Sequence, residues 1–300
     1  TQEGLKSARS YFDQAIRNDP TFAPAYAGLA DCYLALGALR WLSPQDASQP
    51  AKAAIRKALD LDETLGEAHS SLGWMSWRQD WDLGTAEREF KYAVELSPNY
   101  LEGHENLVWY LAWSGRSNEA LDEIRKIREL DPAYPYLNPE SGIYYHRRDY
   151  GALIKASRKY VASTPDDWPG RYFLGVGYEG SGRVEEAIPE YQKAIELSHG
   201  DQDPTASLAH AYATLGRKAE AEEILRQLQR QSKTSYVSPY IIAAIYAGLA
   251  DKNRAFEYLE KAYQERSSDV LYFLKADLRI DSLRDDPRFQ DLLRRMNFPR

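Results

Sequence analysis

Residues 72–98 read LGWMSWRQDWDLGTAEREFKYAVELSP, and the order of small, large and terminating residues in that stretch decides the fold. Ala86, Phe90 and Ala93 fall four and then three positions apart, which puts them on one face of a helix. Pro98 stops that helix, because a proline has no N–H to donate and its ring clashes with the preceding turn. Leu72 and Gly73 belong to the helix before it. Working outward, the second-helix phrase is already present at Ala8, Phe12, Ala15 and Pro20, and it returns at Ala187, Tyr191 and Ala194. The first-helix phrase recurs at Leu29, Ala30 and Tyr33, then at Leu174, Gly175 and Tyr178. It comes back at Leu208, Ala209 and Tyr212, and last at Ile242, Ala243 and Tyr246. Small residues let the two antiparallel helices of a pair approach closely, and the large ones fill the space beside that contact.

A period of about 34 residues, with these two half-phrases and a closing proline, is the signature of tetratricopeptide repeats (TPRs), and the chain resembles TPR proteins over nearly its whole length. The resemblance implies an all-α TPR α-solenoid, a right-handed superhelix forming one domain over 1–300. Its expected parts are a half-repeat at 4–19 and helix pairs at about 23–63, 66–98, 101–132, 134–165, 168–199, 202–233 and 236–267, with a capping helix over 268–297. The first pair carries an insertion near Gly37–Pro50, where Ser43 reads as an N-cap with Pro44 at the first helical position. The fourth pair departs most from the pattern, with Pro135 and Pro139 early in its first helix. The half-repeat has a second helix but no first, which leaves Leu5, Ala8, Phe12 and Ala15 without a cover. The sequence reading therefore expects the missing helix upstream, in a longer parent. At the other end Asp286-Pro287 opens a helix with Phe289, Leu292, Leu293 and Met296 on one face and Arg288, Asp291 and Arg295 on the other, as a solubilising cap requires.

Composition narrows the function. Hydrophobic residues are 43% and charged residues 28%, which is a folding composition and not a disordered one. The net charge of −7 lacks the basic footprint of a nucleic-acid binder, so no direct nucleic-acid contact is expected. No stretch approaches the roughly 18–20 apolar residues of a membrane span. A single cysteine, Cys32, excludes an internal disulfide framework. The reading places the chain in the cytoplasm, or in the periplasm if a membrane segment precedes it, as a monomer or weak homo-oligomer without a cofactor.

Several phrases resemble one bacterial group in particular. They are residues 19–31 (DPTFAPAYAGLAD), Trp81-Asp82 with Ala86 to Phe90, the 236–267 repeat, and the tail 283–289 (LRDDPRF). In that group a TPR array follows a winged-helix, Ser/Thr kinase, adenylate-cyclase-like or TolB-like effector. The resemblance implies a non-catalytic scaffold that binds a protein or peptide partner, as the docking or sensory part of a larger bacterial regulator. A free-standing adaptor or assembly factor is one alternative, and a glycan- or metabolite-binding subunit of an enzyme is another.

In TPR arrays the first helix of each pair lines the concave face, through its second, fifth, sixth, ninth, twelfth and thirteenth positions. Transferred to this sequence, that register points Ser70, Ser71, Trp74, Trp77 and Arg78 inward, followed by Glu102, Glu105, Asn106, Trp109 and Trp113. Asn138, Tyr145 and His146 come next, then Tyr172, Phe173 and Glu179. The expected groove is thus aromatic, with Trp74, Trp77, Arg78, Asn106, Trp109, Trp113, Tyr145, His146, Tyr172 and Phe173 as its binding residues, since aromatic anchors rimmed by polar groups concentrate binding energy. A tryptophan one position out of this register packs between repeats instead. Glu102 and Glu105 stand where a clamp for a C-terminal carboxylate needs cations, so extended peptides with proline or basic residues fit better.

Catalytic and metal readings find little support. His69 and His104 occupy the fourth repeat position, where a side chain packs between helices, and His199 and His210 have no partner at ligand spacing. His146 sits beside Tyr145 and Arg147-Arg148 and can touch a ligand, without the partners of a general base. Gly175-Val176-Gly177 lies inside a helix phrase and follows no strand, so it is not a dinucleotide loop. Cys32 has no histidine partner to activate it.

Overall fold

The computed structural model describes residues 2–132, 134 and 139–296, and all regular structure among them is helical. Asn138 and Pro135, singled out from the sequence, lie outside the described residues, as does residue 297. The chain divides into two compact units, residues 1–135 and 136–300.

In the first unit α1 (Gln2–Asn18) packs on α2 (Ala23–Ala38), and α2 pairs with α3 (Pro44–Leu61). The next pair is α4 (Gly66–Met75), prolonged by a π-helical turn over Ser76–Asp80, with α5 (Leu83–Leu96). Helices α6 (Leu101–Trp113) and α7 (Ser117–Leu130) complete the unit. First helices lie side by side, α2 on α4 and α4 on α6. Ser43 caps α3 by accepting from the Asp46 N–H at 3.1 Å, and Asp82 caps α5 by accepting from the Thr85 N–H at 3.0 Å.

The second unit repeats the plan. Its pairs are α8 (Pro139–His146) with α9 (Tyr150–Ser163), and α10 (Trp168–Gly180) with α11 (Val184–Leu197). They continue as α12 (Gln202–Thr214) with α13 (Lys218–Gln231), and α14 (Pro239–Gly248) with α15 (Lys252–Gln264). After the pairs come the short α16 (Ser268–Phe273), a 3-10 turn over Leu278–Leu283, and α17 (Pro287–Arg295). Asp286 caps α17, and Phe289, Leu292 and Met296 are buried beneath it.

The two helices of a pair meet where the sequence is small. A Cβ on Gly73 would lie 2.7 Å from the Phe90 ring, and one on Gly175 would lie 2.5 Å from Tyr191, closer than carbon atoms tolerate. Ala86, Ala93, Ala187 and Ala194 are fully buried for the same reason. The second helices bury one stripe, whereas Pro239–Ala247 of α14 are buried on every side, so α14 is enclosed on all faces.

Two repeats share a polar clamp. His69 sets Nδ1 against Glu89 at 2.7 Å and Nε2 against the Glu63 carbonyl at 2.9 Å. His104 does the same with Glu123 at 2.7 Å and the Pro98 carbonyl at 2.9 Å. Each imidazole therefore ties its first helix to its second helix and to the preceding turn, the packing role its fourth repeat position predicts. Desolvation opposes ionisation of Glu123, but hydrogen bonds from His104 and Lys126 hold its carboxyl below the usual range.

Candidate partner-binding site

The sequence-predicted residues divide between the two units, and their fates differ for different reasons. In the first unit Asn106 Nδ2 donates to Ser70 Oγ at 3.0 Å, which joins α4 and α6 on the first-helix face. Ser71 Oγ donates to Asp31 at 2.6 Å and joins α4 to α2 on the same face. Trp74 and Trp109 remain partly exposed. The Arg78 guanidinium lies 5.3 Å from the Trp74 ring centre and 5.4 Å from that of Trp77. Tyr134 donates to Glu105 at 3.1 Å.

Trp77 and Trp113 are interior residues. Trp77 is fully buried and meets Trp74, Phe90 and Tyr110 edge to face, with ring centres 5.5, 6.4 and 5.7 Å away. Trp113 tilts against it at 5.6 Å. Arg78 is also buried. Trp113 is buried at the end of an unbroken α6, whereas Trp77 and Arg78 lie within the π turn, which holds one residue more than an α-turn. A signal for it is present in the sequence, since Gly73 to Ala86 is one residue longer than Gly175 to Ala187.

In the second unit a later segment of the chain packs over several of the expected positions. Tyr145, Tyr172 and Phe173 are buried, and His146 is partly so. Phe273 stacks on Tyr240 at 6.1 Å and meets Tyr145 edge to face at 6.1 Å, while Tyr272 meets His146 at 4.8 Å. Arg279, 2% exposed, is the anchor of this segment. Its guanidinium donates to Asp277 at 2.7–3.0 Å, to the Asp203 carbonyl at 3.2 Å and to Ser207 at 3.3 Å. Asp277 also accepts from the Tyr240 hydroxyl at 2.9 Å. Burial disfavours its ionisation, yet Arg279 holds the Asp277 carboxyl below the usual range. Arg148 pairs with Asp281 and Ser282 donates to the Ala247 carbonyl at 3.4 Å, which fastens the far end of the segment. Ser207 and Tyr240 did not stand out in the sequence, and Asp203 did so only within a run too short for a calcium loop, because their roles exist only once a distant segment lies over them.

The first helices of the second unit carry another buried pairing, in which Glu179 accepts from Tyr191 at 2.6 Å and meets His210 Nδ1 at 2.6 Å. Among the described residues no group of three or more His, Cys, Asp or Glu side chains is arranged to hold a metal ion. Cys32 is buried, and burial beside Asp31 pushes its thiol up to about 11, away from nucleophilic reactivity. Among the described residues no helix is long and apolar enough to cross a membrane.

Helix pairs of this geometry, with glycine or alanine against an aromatic at each crossing, have a direct counterpart in known sequences. Profiles described as tetratricopeptide repeat match residues 1–39 and 179–238. These pairs are tetratricopeptide repeats. Among curated relatives, the TPR chain is 29% identical over 133 residues to the transcriptional regulator HilA of Salmonella typhimurium, covering 44% of this chain and 24% of that protein. It is 24% identical over 226 residues to the peroxisomal targeting signal receptor of Kluyveromyces lactis, covering 74% of this chain and 38% of the receptor. The chain thus spans well under half the length of either relative. Among solved structures, yeast Tom70 superposes with a TM-score of 0.54 at 18% identity, over 98% of this chain and 62% of that one. That superposition shows a shared TPR solenoid fold.

Proposed function

We propose that the TPR chain is a non-catalytic scaffold that holds a protein or peptide partner on the first-helix face of its first unit, as the docking part of a larger bacterial regulator. One observation carries the choice of face. Trp74 and Trp109 stay partly exposed on adjacent first helices joined by the Asn106–Ser70 hydrogen bond, whereas the corresponding aromatic rings of the second unit are covered by residues 271–283. Indole rings with one wet face supply large contact area at low entropic cost, the property that makes them binding anchors. HilA, whose name describes a transcriptional regulator, supports the wider regulatory setting, and the peroxisomal targeting signal receptor supports recognition of a partner.

The test is affinity capture from a bacterial lysate with quantitative mass spectrometry, comparing the intact chain with a Trp74→Ala/Trp109→Ala variant. Both chains are first shown to have the same helical circular dichroism. A protein held by the intact chain and released by the variant supports the reading. A capture profile identical for the two chains refutes the assignment of the face.

A further inference from the structure

The second unit shows what a first-helix face of this chain accepts, because one is already filled. Its occupant, residues 270–283 (VLYFLKADLRIDSL), sets an aromatic ring, Phe273, between Tyr145 and Tyr240. The same segment sets a guanidinium, Arg279, against Asp203. Asp203 is the second residue of α12. The second residues of α4 and α6 in the first unit are Glu67 and Glu102, the same position carrying the same charge. Asp31 completes the set, joined to this face by Ser71. Its carboxyl is pushed up to about 6 by burial, with Glu102 and Glu67 adding repulsion. Among the described residues no lysine or arginine forms an ion pair with Asp31, Glu67 or Glu102. Two turns after Glu67 and Glu102, on the same two helices, come the partly exposed Trp74 and Trp109.

We propose that the first-helix face of the first unit takes a peptide segment in which an arginine is set among aromatic or branched apolar residues, the chemistry that residues 270–283 present to the second unit. This rests on the docking role given above to Trp74 and Trp109. The apolar residues lie on the indoles, and the guanidinium enters the field of Glu67, Glu102 and Asp31. Arginine suits the site better than lysine because its planar fork can meet two carboxylates at once and also stack on an indole. In the second unit Arg279 combines both contacts, its carbon centre lying 5.8 Å from the Phe273 ring centre.

The experiment uses the full chain and a dye-labelled synthetic peptide with the sequence of residues 270–283, in which Asp277→Ala frees the arginine from its partner within the segment and Asp281→Ala removes the segment's other acid. A second peptide carries Arg279→Gln in addition. Binding is read by anisotropy and by intrinsic tryptophan fluorescence, which reports the first unit because six of the seven tryptophans lie there. The expected result is binding of the arginine peptide, at least about tenfold weaker binding of the glutamine peptide, and the same loss with a Glu67→Gln/Glu102→Gln chain, the size of one charge-assisted contact. Equal binding of both peptides, indifference to the glutamate changes, or no binding of either peptide overturns the arginine inference. Binding that survives Trp74→Ala/Trp109→Ala unchanged overturns the docking face itself. Sensitivity to the tryptophans without sensitivity to charge leaves the face standing and refutes only the arginine.

Discussion

Replacing Arg279 by alanine is the sharpest perturbation available, because one side chain anchors the segment that covers the second unit's first-helix face. The guanidinium is 2% exposed and is shared among Asp277, the Asp203 carbonyl and Ser207. Without it, Asp277 keeps the Tyr240 hydroxyl and a backbone N–H, which do not neutralise a fully buried carboxylate. Breaking a buried pair from one side costs about 3–5 kcal/mol, a large part of the roughly 5–15 kcal/mol that holds a domain folded. The readout is native-state hydrogen exchange by mass spectrometry on α14, whose residues Pro239–Ala247 are wholly buried beneath the segment. At about 1.4 kcal/mol per factor of ten, the α14 amides should exchange roughly a hundred to a few thousand times faster, with the tryptophan fluorescence of the first unit unchanged. Asp277→Asn on the Arg279→Ala background should recover part of the loss, since it removes the stranded charge. Acceleration of less than about tenfold would show that Arg279 does not hold the cover in place.

Other outcomes follow from the same geometry. Trp77→Ala should cost about 3–5 kcal/mol in urea unfolding, as a buried aromatic does, while Trp74→Ala should cost much less and alter binding instead. Gly175→Ala should destabilise by about 1–3 kcal/mol, because the added methyl group meets a Tyr191 ring that Glu179 holds by a hydrogen bond. Tyr145→Phe should be neutral or stabilising by up to about 1 kcal/mol in the same assay, since the buried Tyr145 hydroxyl has no hydrogen-bond partner among the described residues. The folded value of about 6 for Asp31 lies above its unfolded one, so the folded chain holds that proton more tightly and loses stability as the pH rises from about 4 through about 6. Asp31→Asn should therefore match the parent below about pH 4 and exceed it by about 1–3 kcal/mol at pH 7, towards the lower end because the carboxyl keeps some exposure, as read from chemical unfolding across that range.

The helix pairs were legible because their cause is local. A glycine or alanine facing an aromatic twelve to seventeen residues later, with a proline or capping aspartate at the end, specifies a tight antiparallel crossing wherever it occurs. Gly73 with Phe90 and Gly175 with Tyr191 show this directly. His69 and His104 were equally readable as packing residues, since repeat position alone sets their surroundings. Counting along a helix failed at Trp77, Arg78 and Trp113, because a position count does not register the ring cluster that these side chains form with one another, Phe90 and Tyr110. The burial of Tyr145, Tyr172 and Phe173 was illegible for another reason. It depends on Tyr272, Phe273 and Arg279, some 100 or more residues away and belonging to no repeat. No periodicity within a repeat encodes what lies across it.

The π turn makes the first unit's surface depend on length as well as on composition. Each residue advances an α-helix by about 100°, so removing one residue between Ser76 and Asp80 rewinds the end of α4 by that angle. If the residue removed is Ser76, Trp77 moves from about 60° to about 160° away from Trp74 around the axis, and the cluster it shared with Phe90 and Tyr110 loses its centre. A deletion that changes no other letter thus takes the largest fully buried side chain out of its cluster. Chains that match this one everywhere except for a single gap in that stretch should therefore pack the end of α4 differently against α5 and α6.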